Sequence, residues 1–245
     1  MRWFPNWVGK ARAAAPRAPS FRPRLERLED RRVMNVSSAF DAHGNVMQLV
    51  VDNTGKLSQT YQGVTQVLAQ DVLRAHAYRD STGIIGILVI YRADTNFAAY
   101  DYDHAGGHFL GLNIQDVDKA YDKNGHLQED VTYLSNGQYA TFEYTDTGGR
   151  QLLYGTNVIA EFVHPFVNSQ GTLGEDVSYF STQSTNTLIE YDGISGGRFL
   201  ANNAVADRTW NAQGTSFILD VVYIAGSAFE YTPTAATHVG DDIPI

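Results

Sequence analysis

Five times between residues 40 and 214 the chain runs from an aromatic residue through a few polar ones to a glycine. The stretches are FDAHG (40–44), YRDSTG (78–83), YDKNG (121–125), FVNSQG (166–171) and WNAQG (210–214). The glycines follow one another at intervals of 39, 42, 46 and 43 residues. Polar turn formers ending in Gly, set between alternating apolar runs, are the chemistry of a hairpin turn in which Gly takes the positive-φ position. After each Gly comes a strand pattern, in order VMQLVV, IGILVIY, EDVTYL, EDVSYF and ILDVVYI. A second strand follows, each copy bearing a tyrosine: Tyr61, Tyr102, Tyr144, Tyr191 and Tyr231. In the middle copies another Gly-rich turn opens a third strand, in AGGHFLGLN, TGGRQLLYG and SGGRFLANN.

A period of 40 to 47 residues with four short strands per unit predicts an all-β fold, a five-bladed β-propeller of four-stranded antiparallel blades. One such sheet cannot bury both faces alone, and five around an axis can. Only 31 residues follow Gly214, and one strand, VMNVSSAF, precedes Gly44. Those counts predict closure by a terminal strand, the early segment completing the last blade and hiding both edges. An outer-membrane β-barrel and a β-sandwich are the competing architectures; neither requires the period. In repeat length and blade count the body resembles five-bladed lectin propellers of the tachylectin-2 type, without a shared binding motif.

Charge divides the 245 residues in two. Residues 1–32 carry nine Lys or Arg against three acids, and the rest nine against twenty-four, so a net of +6 precedes a net of −15. The expected organisation is a basic segment over 1–32, disordered or briefly helical, and a propeller over 33–245. An acidic body repels phosphates, which argues against nucleic acid as a partner. The longest apolar run, GIIGILVIY, is too short for a transmembrane helix, and the chain has no cysteine, so disulfide and thiolate chemistry are excluded. The stretch FRPRLERLEDRR (21–32) resembles the N-terminal segment of many planctomycete surface and secreted proteins, Arg-Pro-x-Leu-Glu-x-Leu-Glu-Asp-Arg. Arg22, Pro23, Leu25, Glu26, Leu28, Glu29, Asp30 and Arg31 stand at matching positions, and Val33-Met34-Asn35 replaces the usual Leu-Leu-Ser. The resemblance implies an extracellular or cell-surface location and nothing about activity.

Candidate ligand-binding residues are Asp130, Asp176 and Asp220, each shortly before a tyrosine (Tyr133, Tyr179, Tyr223) at equivalent places in three strands. If those strands are innermost, the carboxylates ring one end of the channel, where they could hold a sugar or a cation, or act as the acid and base of a glycosidase. Capping of strand ends is the simpler account. Glu143, Glu190 and Glu230, with Asp101 in the same slot, are expected to act as structural wiring, each pairing with an Arg of a neighbouring blade. Asp103, His104 and His108 invite a metal reading, but Arg150 and Arg198 occupy the His108 slot in later repeats, which favours a solvent-facing cationic position. No catalytic residue, metal or cofactor is assigned. The function expected is a binding module for glycans or other envelope components, with a glycan hydrolase and a structural surface protein as alternatives.

Overall fold

The computed structural model describes residues 35–93, 96–135, 138–152, 158–181, 187–191, 197–202, 204–211, 213–223, 228–232 and 236–240; side chains at several of these positions, Tyr179 and Tyr223 among them, lie outside the description. Every element among the described residues is a strand. No helix there is long and apolar enough to cross a membrane, which says nothing of a β-barrel. The chain divides into Met1–Asp30 and Arg31–Ile245, and all described residues lie in the second unit.

That unit contains five separate four-stranded antiparallel sheets, each made of four consecutive strands. The first comprises β1 (Asn35–Phe40), β2 (Val46–Val51), β3 (Leu57–Tyr61) and β4 (Val64–Ala69). The second comprises β5 (Val72–Arg79), β6 (Ile85–Ala93), β7 (Asn96–Asp103) and β8 (Gly106–Leu112). The third holds β9 (Ile114–Tyr121), β10 (Leu127–Ser135), β11 (Gln138–Thr145) and β12 (Gly148–Gln151). The fourth holds β13 (Val158–Val167), β14 (Leu173–Ser181), β15 (Thr187–Tyr191) and β16 (Gly197–Asn202). The fifth holds β17 (Ala204–Trp210), β18 (Phe217–Tyr223), β19 (Ala228–Tyr231) and β20 (Ala236–Gly240).

The leading strands pack on one another in succession, β1 on β5, β5 on β9, β9 on β13 and β13 on β17, and β17 packs back on β1. Burial follows that order. β1 is buried throughout and β5 and β9 nearly so, whereas β4, β8 and β12 are largely exposed. A strand buried on both faces, leading a sheet whose last strand meets solvent, is the signature of a β-propeller. The apolar core is correspondingly divided into layers between sheets. Leu49, Val51 and Leu57 of the first sheet meet Val72, Ala75 and Val89 of the second. Leu88 and Ile90 of the second meet Val117 and Val131 of the third.

The turn chemistry behaves as expected. Gly44, Gly83, Gly125, Gly171 and Gly214 all have positive φ. Three residues before each stands Asp41, Asp80, Asp122, Asn168 or Asn211, whose side-chain oxygen accepts backbone N–H groups of its own turn. These Asx turns link the first strand of each sheet to the second.

The phase of the unit differs from expectation by one strand. The innermost strand precedes the turn glycine rather than following it. β1 therefore pairs with β2 in the first sheet, and β17 to β20 complete the last sheet unaided. Among the described residues no terminal strand is borrowed. The aromatic at the end of each innermost strand looks alike whether it closes one unit or opens the next, and that ambiguity produced the shift.

Candidate functional site

Strand pairing sets one transverse row of side chains across each sheet. Directly opposed residues share a face, so the register alone defines the rows. In the third sheet the row is Asp118, Asp130, Glu143 and Arg150. In the fourth it is His164, Asp176, Glu190 and Arg198. In the fifth it is Asp207, Asp220, Glu230 and Thr237. In the second it is His76, Leu88, Asp101 and His108, and in the first Ser37, Leu49, Gln59 and Gln66. Polar residues thus share this register position in three consecutive sheets; the side chains of Glu190, Arg198, Glu230 and Thr237 lie outside the described residues.

This places the sequence-derived candidates. Asp130, Asp176 and Asp220 are 1%, 0% and 2% exposed. They lie on second strands within the inter-sheet layers and not at the channel mouth, because the strand after each turn glycine is second from the axis. Asp176 accepts from the Arg208 guanidinium of the fifth sheet. Asp130 accepts from Gln128; burial first, and then the charge of Glu175, push its carboxyl well above the usual range. Tyr133 is half-buried on β10 and packs edge-on to Phe142; its hydroxyl is pushed up to about 12, first by burial and then by Tyr144. The side chains of Tyr179 and Tyr223 lie outside the described residues.

Two of the repeated acids of the third strands, Glu143 and Asp101, pair with cations; the side chains of Glu190 and Glu230 lie outside the described residues. Arg150 Nε and Nη2 fork onto the two Glu143 oxygens at 2.7 and 2.8 Å. Asp101 binds Lys119 of the next sheet and accepts from the Tyr78 hydroxyl at 2.7 Å. Two third-strand tyrosines lie over the glycines opposite them: a Cβ on Gly149 would meet the Tyr144 ring at 2.8 Å, and one on Gly107 the Tyr102 ring at 2.9 Å. His104 leans on Asp80 and His108 on Asp103, both half-exposed, in keeping with a solvent-facing slot.

Alternation carries Tyr144 and Tyr191 to the face opposite the polar row of their own sheet. Each therefore faces the row of the preceding sheet. In the gap between the third and fourth sheets, Tyr191 packs on a layer of Leu152, Val163 and Val177. There Gln128 donates to Glu175, a neighbour of Tyr191 across the β14–β15 pair. The Glu143–Arg150 fork stands on the facing sheet, and the Arg150 side chain is 69% exposed. The gap thus holds a carboxylate, a guanidinium, an amide and a phenol ring. The second sheet sets Asp101 beside His108 with Tyr144 across the next gap, and the fourth sheet's register sets Glu190 opposite Arg198.

At the axis, the innermost row positions bring together residues that sequence reasoning missed. Seven residues before the five turn glycines stand Ser37, His76, Asp118, His164 and Asp207, and all five are buried. Counting back from the glycines would have found them. Asp116, two residues before Asp118, lies against both imidazoles: His76 Nε2 hydrogen-bonds its Oδ1 at 2.9 Å, and His164 Nε2 stands 3.1 Å from its Oδ2 without hydrogen-bond geometry. Burial alone would pull His76 down, but Asp116 and Asp118 hold it up at about 9. His164 is raised for the same reasons. Burial alone would raise Asp116, yet His76, Arg74 and His164 hold it well below the usual range. Above this cluster the five turns surround a cavity of about 420 Å³, lined by Arg79, Asp80, Lys123, Asn168 and Gln213 among others. The Asp80 and Asp122 carboxylates at this mouth are occupied by their own turns.

No protein-family model matches the chain, and no curated protein matches it. Among solved structures it is similar to MPT-4, a mannose phosphorylase from Leishmania mexicana, with a TM-score of 0.56 and 12% identity over 88% of this chain and 89% of that one. It is also similar to the fucose-recognising six-bladed β-propeller lectin of Aleuria aurantia (TM-score 0.48, 10% identity, 85% of this chain and 78% of that one). A third is the SapL1 lectin bound to α-methyl fucoside (0.47, 10%, 87% and 97%). At these identities the likeness is one of fold. The body is a β-propeller.

Proposed function

We propose that this protein is a five-bladed β-propeller that binds glycans in the gaps between its blades. The observation that carries the reading is the Glu143–Arg150 fork facing Tyr191 across the gap between the third and fourth sheets, with Gln128 and Glu175 alongside. Carboxylate, guanidinium and amide groups suit adjacent sugar hydroxyls, and a phenol ring suits the apolar face of a pyranose. Equivalent register positions in neighbouring sheets supply further such gaps, and linked weak sites gain avidity. The blade count rests on the five sheets and on β17 packing against β1.

A glycan array probed with the full chain tests this. Binding to at least one glycan class, weakened by Arg150→Ala in a protein that still folds, is the expected result. No glycan bound, or binding indifferent to Arg150→Ala and Glu143→Gln, would overturn it. Export to the envelope or exterior, with residues 1–32 as the export segment and 33–245 as the propeller, is proposed from the Arg-Pro-x-Leu-Glu segment. Cell fractionation checks it, and retention in the cytosol would count against it.

A further inference from the structure

We propose that His76, Asp118, His164 and Asp207 form a structural site for a divalent transition-metal ion of the zinc class on the axis of the propeller. The four residues come from four different innermost strands, β5, β9, β13 and β17. Each offers one ligand atom, and these atoms lie within 4.8 Å of one another. His76 Nδ1 stands 3.4 Å from Asp207 Oδ2 and 3.9 Å from Asp118 Oδ2, and His164 Nδ1 stands 3.4 Å from Asp118 Oδ2. Zinc bonds to nitrogen and oxygen of about 2.0–2.1 Å, set tetrahedrally, need ligand atoms about 3.3–3.4 Å apart. Two of the separations already match this spacing, and the others, none beyond 4.8 Å, must contract for the shell to close.

Three further features point the same way. Both imidazoles turn Nε2 toward the single carboxylate of Asp116, which leaves Nδ1 of each directed at Asp118 or Asp207. A carboxylate behind a histidine ligand is the usual means of fixing its tautomer and orientation. His164 Nδ1 and Asp118 Oδ2 are nearly fully buried and make no hydrogen bond among the described residues, though they face each other. Groups so placed want a common partner. Binding would displace the protons that the neighbouring carboxylates hold on the imidazoles, and two neutral imidazoles and two carboxylates would then neutralise a divalent ion.

A cavity of about 40 Å³ bounded by Asp118 and Asp207 shares Arg79, Tyr121 and Val167 with the larger cavity at the mouth. Four protein ligands close the shell, which suits a structural ion rather than a catalytic one with an open position. Such an ion would tie four of the five innermost strands at one point. It needs no sugar, so its test is independent of glycan binding.

The test is titration of the chelator-dialysed full chain with Co²⁺, followed by displacement with Zn²⁺. One equivalent of Co²⁺ should bind with the intense visible bands of a tetrahedral N₂O₂ site. Zn²⁺ should abolish those bands, and either ion should raise the thermal midpoint. Asp207→Asn combined with Asp118→Asn should remove the bands, and Asp116→Asn should weaken binding by about 10- to 100-fold. If the variants do not fold, the wild-type titration decides alone. A folded wild-type chain that takes up no Co²⁺, or an unchanged spectrum in the folded double variant, would overturn the assignment.

Discussion

Arg208 and Asp176 form an ion pair between neighbouring sheets, Nε to Oδ2 at 3.0 Å, with side-chain exposures of 7% and 0%. The guanidinium also lies over the Phe166 ring, 4.9 Å from its centroid. Removing one partner of a buried pair leaves an uncompensated charge. Arg208→Ala should therefore lower stability by about 3–5 kcal/mol in urea unfolding. Arg150→Ala removes a 69% exposed cation from a carboxylate that is only 9% exposed and should cost less than the fully buried pair, about 1–2 kcal/mol. Equal losses in the two variants would refute this ordering.

The turn glycines are not interchangeable. A Cβ on Gly44 (φ +82°) meets nothing within 4 Å, whereas one on Gly214 (φ +65°) would sit 2.3 Å from the Ser169 carbonyl oxygen in the neighbouring sheet's turn. Gly44→Ala should cost about 1–2 kcal/mol, the penalty of the left-handed conformation alone. Gly214→Ala should cost clearly more, because a backbone carbonyl must also move. Thermal unfolding of the two variants makes the comparison.

Acid sensitivity should trace to the turn carboxylates. Burial alone would raise Asp41, but the Tyr61 hydroxyl, the Asn45 side chain and the amides of Asn45 and His43 together hold it below the usual range. A carboxylate depressed on folding contributes stability that is complete above its unfolded value of about 4 and lost as pH falls through the folded one. Tyr61 donates to Asp41 at 2.6 Å, so Tyr61→Phe should cost about 1.5 kcal/mol or more at pH 7. That deficit should shrink below pH 4. A deficit constant with pH would show that ring packing, and not the charge, accounts for it.

Asp130 behaves in the opposite sense. Its raised carboxyl favours the protonated form in the folded state, so its contribution to stability diminishes as pH rises from about 4 toward the folded value. Asp130→Asn keeps the shape, can still accept from Gln128, and can donate toward Glu143 or Glu175. At pH 7 the variant should be as stable as the wild type or more so. Marked destabilisation at neutral pH would indicate that the charge itself is required.

How much of this was legible follows from which constraints are local. Positive φ at Gly44, Gly83, Gly125, Gly171 and Gly214 is demanded by the turn itself, so the period stands out in the residues. The phase does not. Phe40 and Tyr78 end innermost strands, yet nothing beside them distinguishes an ending from a beginning, and β1 was accordingly assigned to the wrong sheet. The same slip put Asp130, Asp176 and Asp220 at the axis, one strand inward of where they lie. The wiring of Glu143 was anticipated in kind, although its partner Arg150 sits in its own sheet and not in a neighbour. His76 and His164 share a position with Asp118 and Asp207, and chemical likeness alone hides that, since imidazole and carboxylate alternate there.

Because every sheet is built from four consecutive strands, the junction between the first and the last is abutment of β1 and β17 without a shared ladder. A gene encoding such a chain can gain or lose one whole unit and leave no strand orphaned at either terminus. The circumference can therefore change by a single duplication, with the new interface needing only side chains that fit.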